Sequence, residues 1–103
     1  MTVFQTLKSA RSLISTPETW CKGKPLHVNK DTKVKSYCLV NAINISSPKR
    51  LKHCGVRPDY TNTINFLSDG IGAAALLRFN DHKNTTHNDV IGLLDTKIKE
   101  LSS

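Results

Sequence analysis

Tyr37-Cys38-Leu39-Val40-Asn41-Ala42-Ile43-Asn44-Ile45 is the most apolar run in the chain, and whether it is helix or strand decides the fold class. Apolar periodicity over so short a run fits either a buried strand or a buried helix. Its nine-residue length favours helix, and Ser36 is an acceptable N-cap for it. Upstream, Leu26-His27-Val28 and Val34-Lys35-Ser36 flank Asn29-Lys30-Asp31-Thr32, whose Asn and Asp are turn formers, so a short β-hairpin is expected before the apolar run.

Further toward the N-terminus the pattern is helical. Thr2 and Gln5 have capping-box spacing, and Val3, Leu7, Ala10 and Ile14 follow at intervals of four, three and four, which predicts a helix over residues 2–15. Its polar face would carry Lys8, Arg11 and Ser12. The absence of acids there also gives the segment the composition of an organelle transit peptide, although the same stripe is what a core helix needs. Thr16-Pro17-Glu18-Thr19 repeats the helix-start pattern, with a hydroxyl cap, proline at the first position and an acid in the first turn, and a single turn ending at Trp20 is expected. Trp20, the only tryptophan, reads as a core anchor whose indole N–H needs one acceptor.

Downstream, Pro48-Lys49-Arg50 could open a short turn stopped by Gly55, and Pro58-Asp59-Tyr60 begins a helix through Ile64, Phe66 and Leu67, ended by Asp69-Gly70 and Gly72. Ala73 to Leu77 combines strong helix formers with two preceding glycines, and its state stays open. Phe79-Asn80-Asp81 reads as turn chemistry leading into the last helix, since Asn and Asp bond readily to nearby backbone. That last helix is the clearest element: Thr86 caps it, Asp89 is the reciprocal partner, and Val90, Ile91, Leu94, Ile98 and Leu101 share one face. Lys97 and Lys99 suit its negative end. The expected fold is therefore α+β and predominantly helical, one domain over residues 1–103, with three to four helices and one short hairpin.

Composition agrees with one modest core: 103 residues, 38% hydrophobic, 22% charged and 6% aromatic leave too little for two self-supporting domains and too much for full disorder. No apolar run approaches the roughly 18 residues of a membrane span, and the N-terminus lacks the continuous apolar stretch of a secretion signal. Cys21, Cys38 and Cys54 contain no close pair, which favours free thiols and a cytoplasmic location.

The formal charge of +7 is uneven. Met1 to Pro58 holds eleven Lys and Arg against Glu18 and Asp31, whereas Asp59 to Ser103 holds four against six acids. A basic first half attracts polyanions through a field that salt screens over about 10 Å. The candidate binding residues are Lys22, Lys24, Lys33, Lys35 and Arg50.

The order of several features resembles a known family. Leu7 to Ile14, Pro17-Glu18-Thr19-Trp20, the Tyr37-Cys38 opening with Ala42-Ile43, Phe79-Asn80-Asp81, Thr85 or Thr86 with Asp89-Val90, and Leu93-Leu94-Asp95 with Ile98 together resemble small domains of unknown function from actinobacteria, bacteriophages and prophages. Two positions depart from that pattern: Asn41 stands where the family has a glycine, and Phe79 replaces its usual tryptophan. The resemblance adds to the helical reading of the Tyr37–Ile45 run and implies organisation and a phage or prophage origin, but no activity.

The chemistry-bearing residues allow one enzymatic constellation. A cysteine nucleophile needs a histidine to take its proton and a third group to orient that histidine, and Cys38, His87 and Asp81 (or Asn80) supply those types. No local signature surrounds Cys38, and a cysteine within Tyr-Cys-Leu-Val is commonly a small buried hydrophobe. Cys21, Cys38, Cys54, His53, His82 and His87 are the potential metal ligands; only His82 and His87 have half-site spacing, so no metal or other cofactor is expected. Gly70 and Gly72 lack the rest of a phosphate-binding loop. Asn44-Ile45-Ser46 and Asn84-Thr85-Thr86 match glycosylation acceptors, which carry no meaning in a cytoplasmic protein.

The expected function is accordingly a small non-enzymatic interaction protein that binds a host macromolecule through its basic surface, with no membrane partner. An acidic protein face is favoured. Nucleic acid is one alternative, disfavoured because few aromatics are interleaved with the basic residues, and a small cysteine-dependent enzyme using Cys38 is the other.

Overall fold

The computed structural model describes residues 2–47 and 58–102. In chain order these form α1 (Val3–Leu13), a 3-10 turn (Pro17–Thr19), β1 (Leu26–Val28), β2 (Lys35–Tyr37), α2 (Leu39–Ser46), α3 (Pro58–Leu67), α4 (Ala73–Asp81) and α5 (His87–Ser102). The chain is thus α+β and mostly helical, with a two-stranded antiparallel hairpin. Five α-helices are described rather than the three to four expected, and the short turn anticipated after Pro48 falls outside the described residues.

Local chemistry starts most of these elements. Thr2 caps α1 through a reciprocal box: its N–H donates to Gln5 Oε1 at 2.9 Å, and the Gln5 N–H donates to Thr2 Oγ1 at 3.1 Å. Thr86 and Asp89 repeat the device at α5, at 2.9 and 3.2 Å. Each box satisfies backbone donors that a helix start leaves without partners. Between α3 and α4, Gly70 and Gly72 hold φ of +85° and +107°, conformations that side chains with a Cβ rarely adopt.

One apolar core unites the helices. Leu7, Ala10 and Ile14 follow the predicted stripe and are fully buried, with Leu39, Ala42 and Ile43 of α2, Ile64 and Leu67 of α3, Leu76 of α4, and Val90 and Leu94 of α5. Helix α1 is central and packs on α2, α3 and α5, while α4 packs on α2. Each fully buried Leu or Ile contributes about 2 kcal/mol through the apolar surface it removes from water.

Three local expectations are corrected. The apolar run is helical only from Leu39, because Tyr37 is the last residue of β2 and Cys38, not Ser36, is the N-cap. The Cys38 N–H donates to Pro25 O at 3.2 Å, which extends the hairpin by one residue and delays the helix. Phe79-Asn80-Asp81 is the last turn of α4 rather than a loop; Asn80 spends its side chain on distant partners instead of competing for local backbone. On α5 Leu101 is exposed and Lys97 is buried. The Lys97 ammonium donates to Asp69 Oδ1 at 2.6 Å and lies 5.1 Å from the Phe66 ring centre, so the buried lysine keeps its charge paired beside an aromatic ring.

Candidate functional site

Asn80 organises the region where the hairpin, α2 and α4 meet. It is fully buried, and its Oδ1 accepts from Trp20 Nε1 at 2.7 Å and from the Leu39 N–H at 3.0 Å. Its Nδ2 donates to Cys21 O at 3.1 Å and to Asp81 Oδ1 at 2.9 Å. All four hydrogen-bonding positions of the amide are used, as burial requires. The Trp20-Cys21 segment is further tied to β2 by a parallel bridge between Trp20 and Tyr37, with the Cys21 N–H on Tyr37 O at 3.1 Å. The acceptor predicted for the Trp20 indole is therefore Asn80.

Asp81 and Cys38 both line a cleft of about 520 Å³ between α2, α3, α4 and the connection before β1. Its other walls are Gly23, Lys24, Pro25, Val40, Asn41, Asn44, Tyr60 and Leu77. The Gly23 N–H, at 2.9 Å, and the Asn80 amide hold the Asp81 carboxyl below the usual carboxylate range. Cys38 is buried, and its Sγ accepts from the Asn41 N–H at 3.3 Å in the manner of a helix cap. Burial pushes this thiol up and outweighs the Asn41 contact; Cys21 is raised by burial too.

His87 does not join them. Its Nε2 lies 2.7 Å from Ile14 O, its ring centre is 6.0 Å from that of Trp20, and it is absent from the cleft wall. Cys38, His87 and Asp81 consequently do not form a nucleophile–base–orienter chain, and Asn80 has no free valence with which to orient a histidine. His82 Nδ1 accepts from the Asn84 N–H at 3.1 Å. Among the described residues no three His, Cys, Asp or Glu side chains converge on a metal position.

The basic candidates separate into two groups. Lys22 is tied down: its ammonium donates to His82 O at 2.6 Å and sits 5.5 Å from the Trp20 ring centre. Lys24, Lys33 and Lys35 lie on the exposed hairpin and its approach, together with Lys30. Lys24 Nζ is 3.1 Å from His27 Nδ1, and among the described residues none of these four lysines pairs with a carboxylate. Arg50 lies outside the described residues.

The turn that holds these lysines out is built by Asn29. Its Oδ1 accepts from the Asp31 and Thr32 N–H groups at 2.9 and 3.0 Å, and its carbonyl accepts from Lys33. Lys33 takes φ of +63° to close the turn. Beside the lysines, Leu26, Val28 and Val34 are 42%, 43% and 40% exposed. Sequence reading missed this apolar component, because a strand of a two-stranded ribbon has no second layer to cover it and the sequence does not show what will lie above it.

The match between the chain and known proteins runs through every one of these elements. A family model covers residues 1–100, from the cap of α1 almost to the end of α5. The chain belongs to the family of unknown function DUF6197. No curated protein and no solved structure matches it. The family description carries no activity, so the function has to be argued from the site.

Proposed function

We propose that this DUF6197 member is a non-enzymatic interaction domain that binds an acidic face of a host protein through the lysine-bearing β1–β2 ribbon. The observation that carries this reading is the ribbon itself: Lys24, Lys30, Lys33 and Lys35 without carboxylate partners among the described residues, beside exposed Leu26, Val28 and Val34. Unpaired cations around an exposed apolar centre combine long-range attraction with surface to bury on contact. Nucleic acid is less well served. Trp20 is half-buried under Lys22 and Tyr37 is half-buried in the bridge to Trp20, so the ribbon offers bases no stacking platform. The free thiols of Cys21 and Cys38 accord with a cytoplasmic location.

The test compares the parent chain with a variant carrying Lys24→Gln, Lys30→Gln, Lys33→Gln and Lys35→Gln as tagged baits in bacterial lysate with and without nuclease, at low and high salt. Exposed charge pairs contribute about 0.5 kcal/mol each, so four of them amount to about 2 kcal/mol, or roughly 30-fold in affinity. A stoichiometric protein held by the parent and lost by the variant is expected. Recovery indifferent to the four substitutions, or abolished by nuclease, refutes the reading.

A further inference from the structure

The ribbon has one edge closed and one open. Its register pairs Leu26 with Tyr37, His27 with Ser36 and Val28 with Lys35. The bonds from Cys38 N–H to Pro25 O and from Asn29 N–H to Val34 O, at 3.2 and 2.9 Å, mark the pairs at both ends as hydrogen-bonded ones. Antiparallel pairs alternate between bonded and non-bonded, so Leu26 and Val28 turn their N–H and C=O groups away from β2. On the far side of β2 the outward carbonyl of Tyr37 is taken by the Cys21 N–H. On β1 nothing closes the edge: among the described residues no group outside the ribbon bonds to the backbone of Leu26 or Val28.

We propose that this edge receives an extended acidic segment of the partner protein as a third, hydrogen-bonded strand. The inference rests on the reading of the ribbon as an acidic-protein site and adds the mode of recognition. Charge selects the occupant. A second copy of the chain would place lysines against lysines at the strand spacing of about 4.8 Å, the arrangement by which edge lysines block self-pairing. A segment with carboxylates at its ends meets Lys24 before the edge and Lys30 and Lys33 after it. Leu26 and Val28 lie on one face of the ribbon, since side chains alternate, so the segment also carries two apolar residues two positions apart. Backbone bonds supply the attachment and the side chains supply the preference, as in other strand additions.

The probe is the blocked heptapeptide EEVTVEE, titrated against the full chain by fluorescence anisotropy, beside two forms N-methylated at odd or at even positions. Only alternate N–H groups of an added strand face β1, so one methylated form should bind at least tenfold more weakly and the other like the parent peptide. Val28→Pro removes one outward N–H and no ladder bond, a change that edge strands accept; at an unchanged melting temperature it should weaken the peptide at least fivefold. Amide exchange at Leu26 and Val28 should slow on binding. Binding weakened by the four lysine substitutions yet indifferent to methylation and to Val28→Pro overturns strand addition and leaves the charge reading standing. Binding indifferent to the lysines overturns both, and no binding at 1 mM peptide in low salt overturns the strand proposal.

Discussion

Replacing Asn80 by alanine strips four hydrogen bonds from one buried point. The Leu39 N–H at the start of α2 and the Trp20 indole N–H lose their acceptor, and Cys21 O loses its donor. A buried polar group left without a partner costs about 1–3 kcal/mol, so two orphaned donors alone amount to about 4 kcal/mol. A domain of this length has roughly 5–15 kcal/mol in all, and the melting temperature should fall by roughly 20 °C. Urea unfolding followed by the fluorescence of Trp20 reads this directly, because the chain has no other tryptophan. Asn80→Asp sharpens the test. It keeps the acceptor for Trp20 and Leu39 but sets a carboxylate against Asp81 Oδ1 and Cys21 O, where the amide had donated. Its folded pKa must therefore lie above the unfolded value. Measured against the parent, the variant's deficit is therefore smallest below the unfolded value and grows as pH rises through the folded one. A loss below about 1 kcal/mol for Asn80→Ala, or an Asn80→Asp variant whose deficit against the parent widens as the pH falls, refutes the role given to Asn80.

Four further outcomes follow from the same geometry. Asp81 is the opposite case, with its carboxyl held low by the Gly23 N–H and the Asn80 amide; its contribution is present above the unfolded value near ~3.9 and lost as pH falls through the folded one, so the stability gap between the parent and Asp81→Asn should be level at neutral pH and narrow in acid. Cys38, buried and with its thiol raised, should be alkylated by iodoacetamide more slowly than Cys21 in the native chain and at the same rate in urea, and faster native labelling of Cys38 would contradict its capping role. Gly72 has φ +107° and ψ 178° with nothing within 4 Å of an added Cβ, so Gly72→Ala should cost about 2 kcal/mol of backbone strain alone, measured by urea titration. Among the described residues the buried Thr6 hydroxyl has no partner, so Thr6→Val should raise stability by about 1 kcal/mol, and destabilisation would show that the hydroxyl has an acceptor.

The elements that could be read in advance are those whose signals are local. Thr2 with Gln5 and Thr86 with Asp89 announce two helix starts because a capping box needs only residues three apart. The intervals from Leu7 to Ile14 reveal a buried face for the same reason. The hairpin was legible from the Asn and Asp of its turn. Ala73 to Leu77 was not, since helix formers beside glycines satisfy local rules either way, and packing of α4 on α2 settles it. Asn80 was read as turn chemistry because an isolated Asn competes for nearby backbone; only Trp20, Cys21 and Leu39, brought from 41 to 60 residues away, make the helical conformation the better one.

The candidate sites divide along the same line. Composition alone places the positive charge in the first half, and sequence spacing alone identifies Cys38, Asp81 and His87 as residues capable of chemistry. Whether such groups meet is a matter of long-range contacts: the fold sets Cys38 and Asp81 on one cleft, turns His87 to Ile14 beside Trp20, and pins Lys22 while leaving the Lys33 and Lys35 side chains without carboxylate partners among the described residues. Sequence thus determined the helical class, the hairpin, the two capping boxes and the formal net charge of +7, all of which depend on neighbours within a turn or on sums over the chain. Tertiary structure decided which polar groups are spent within the fold and which are left for a partner, because a hydrogen bond between distant residues leaves no periodic trace in the chain.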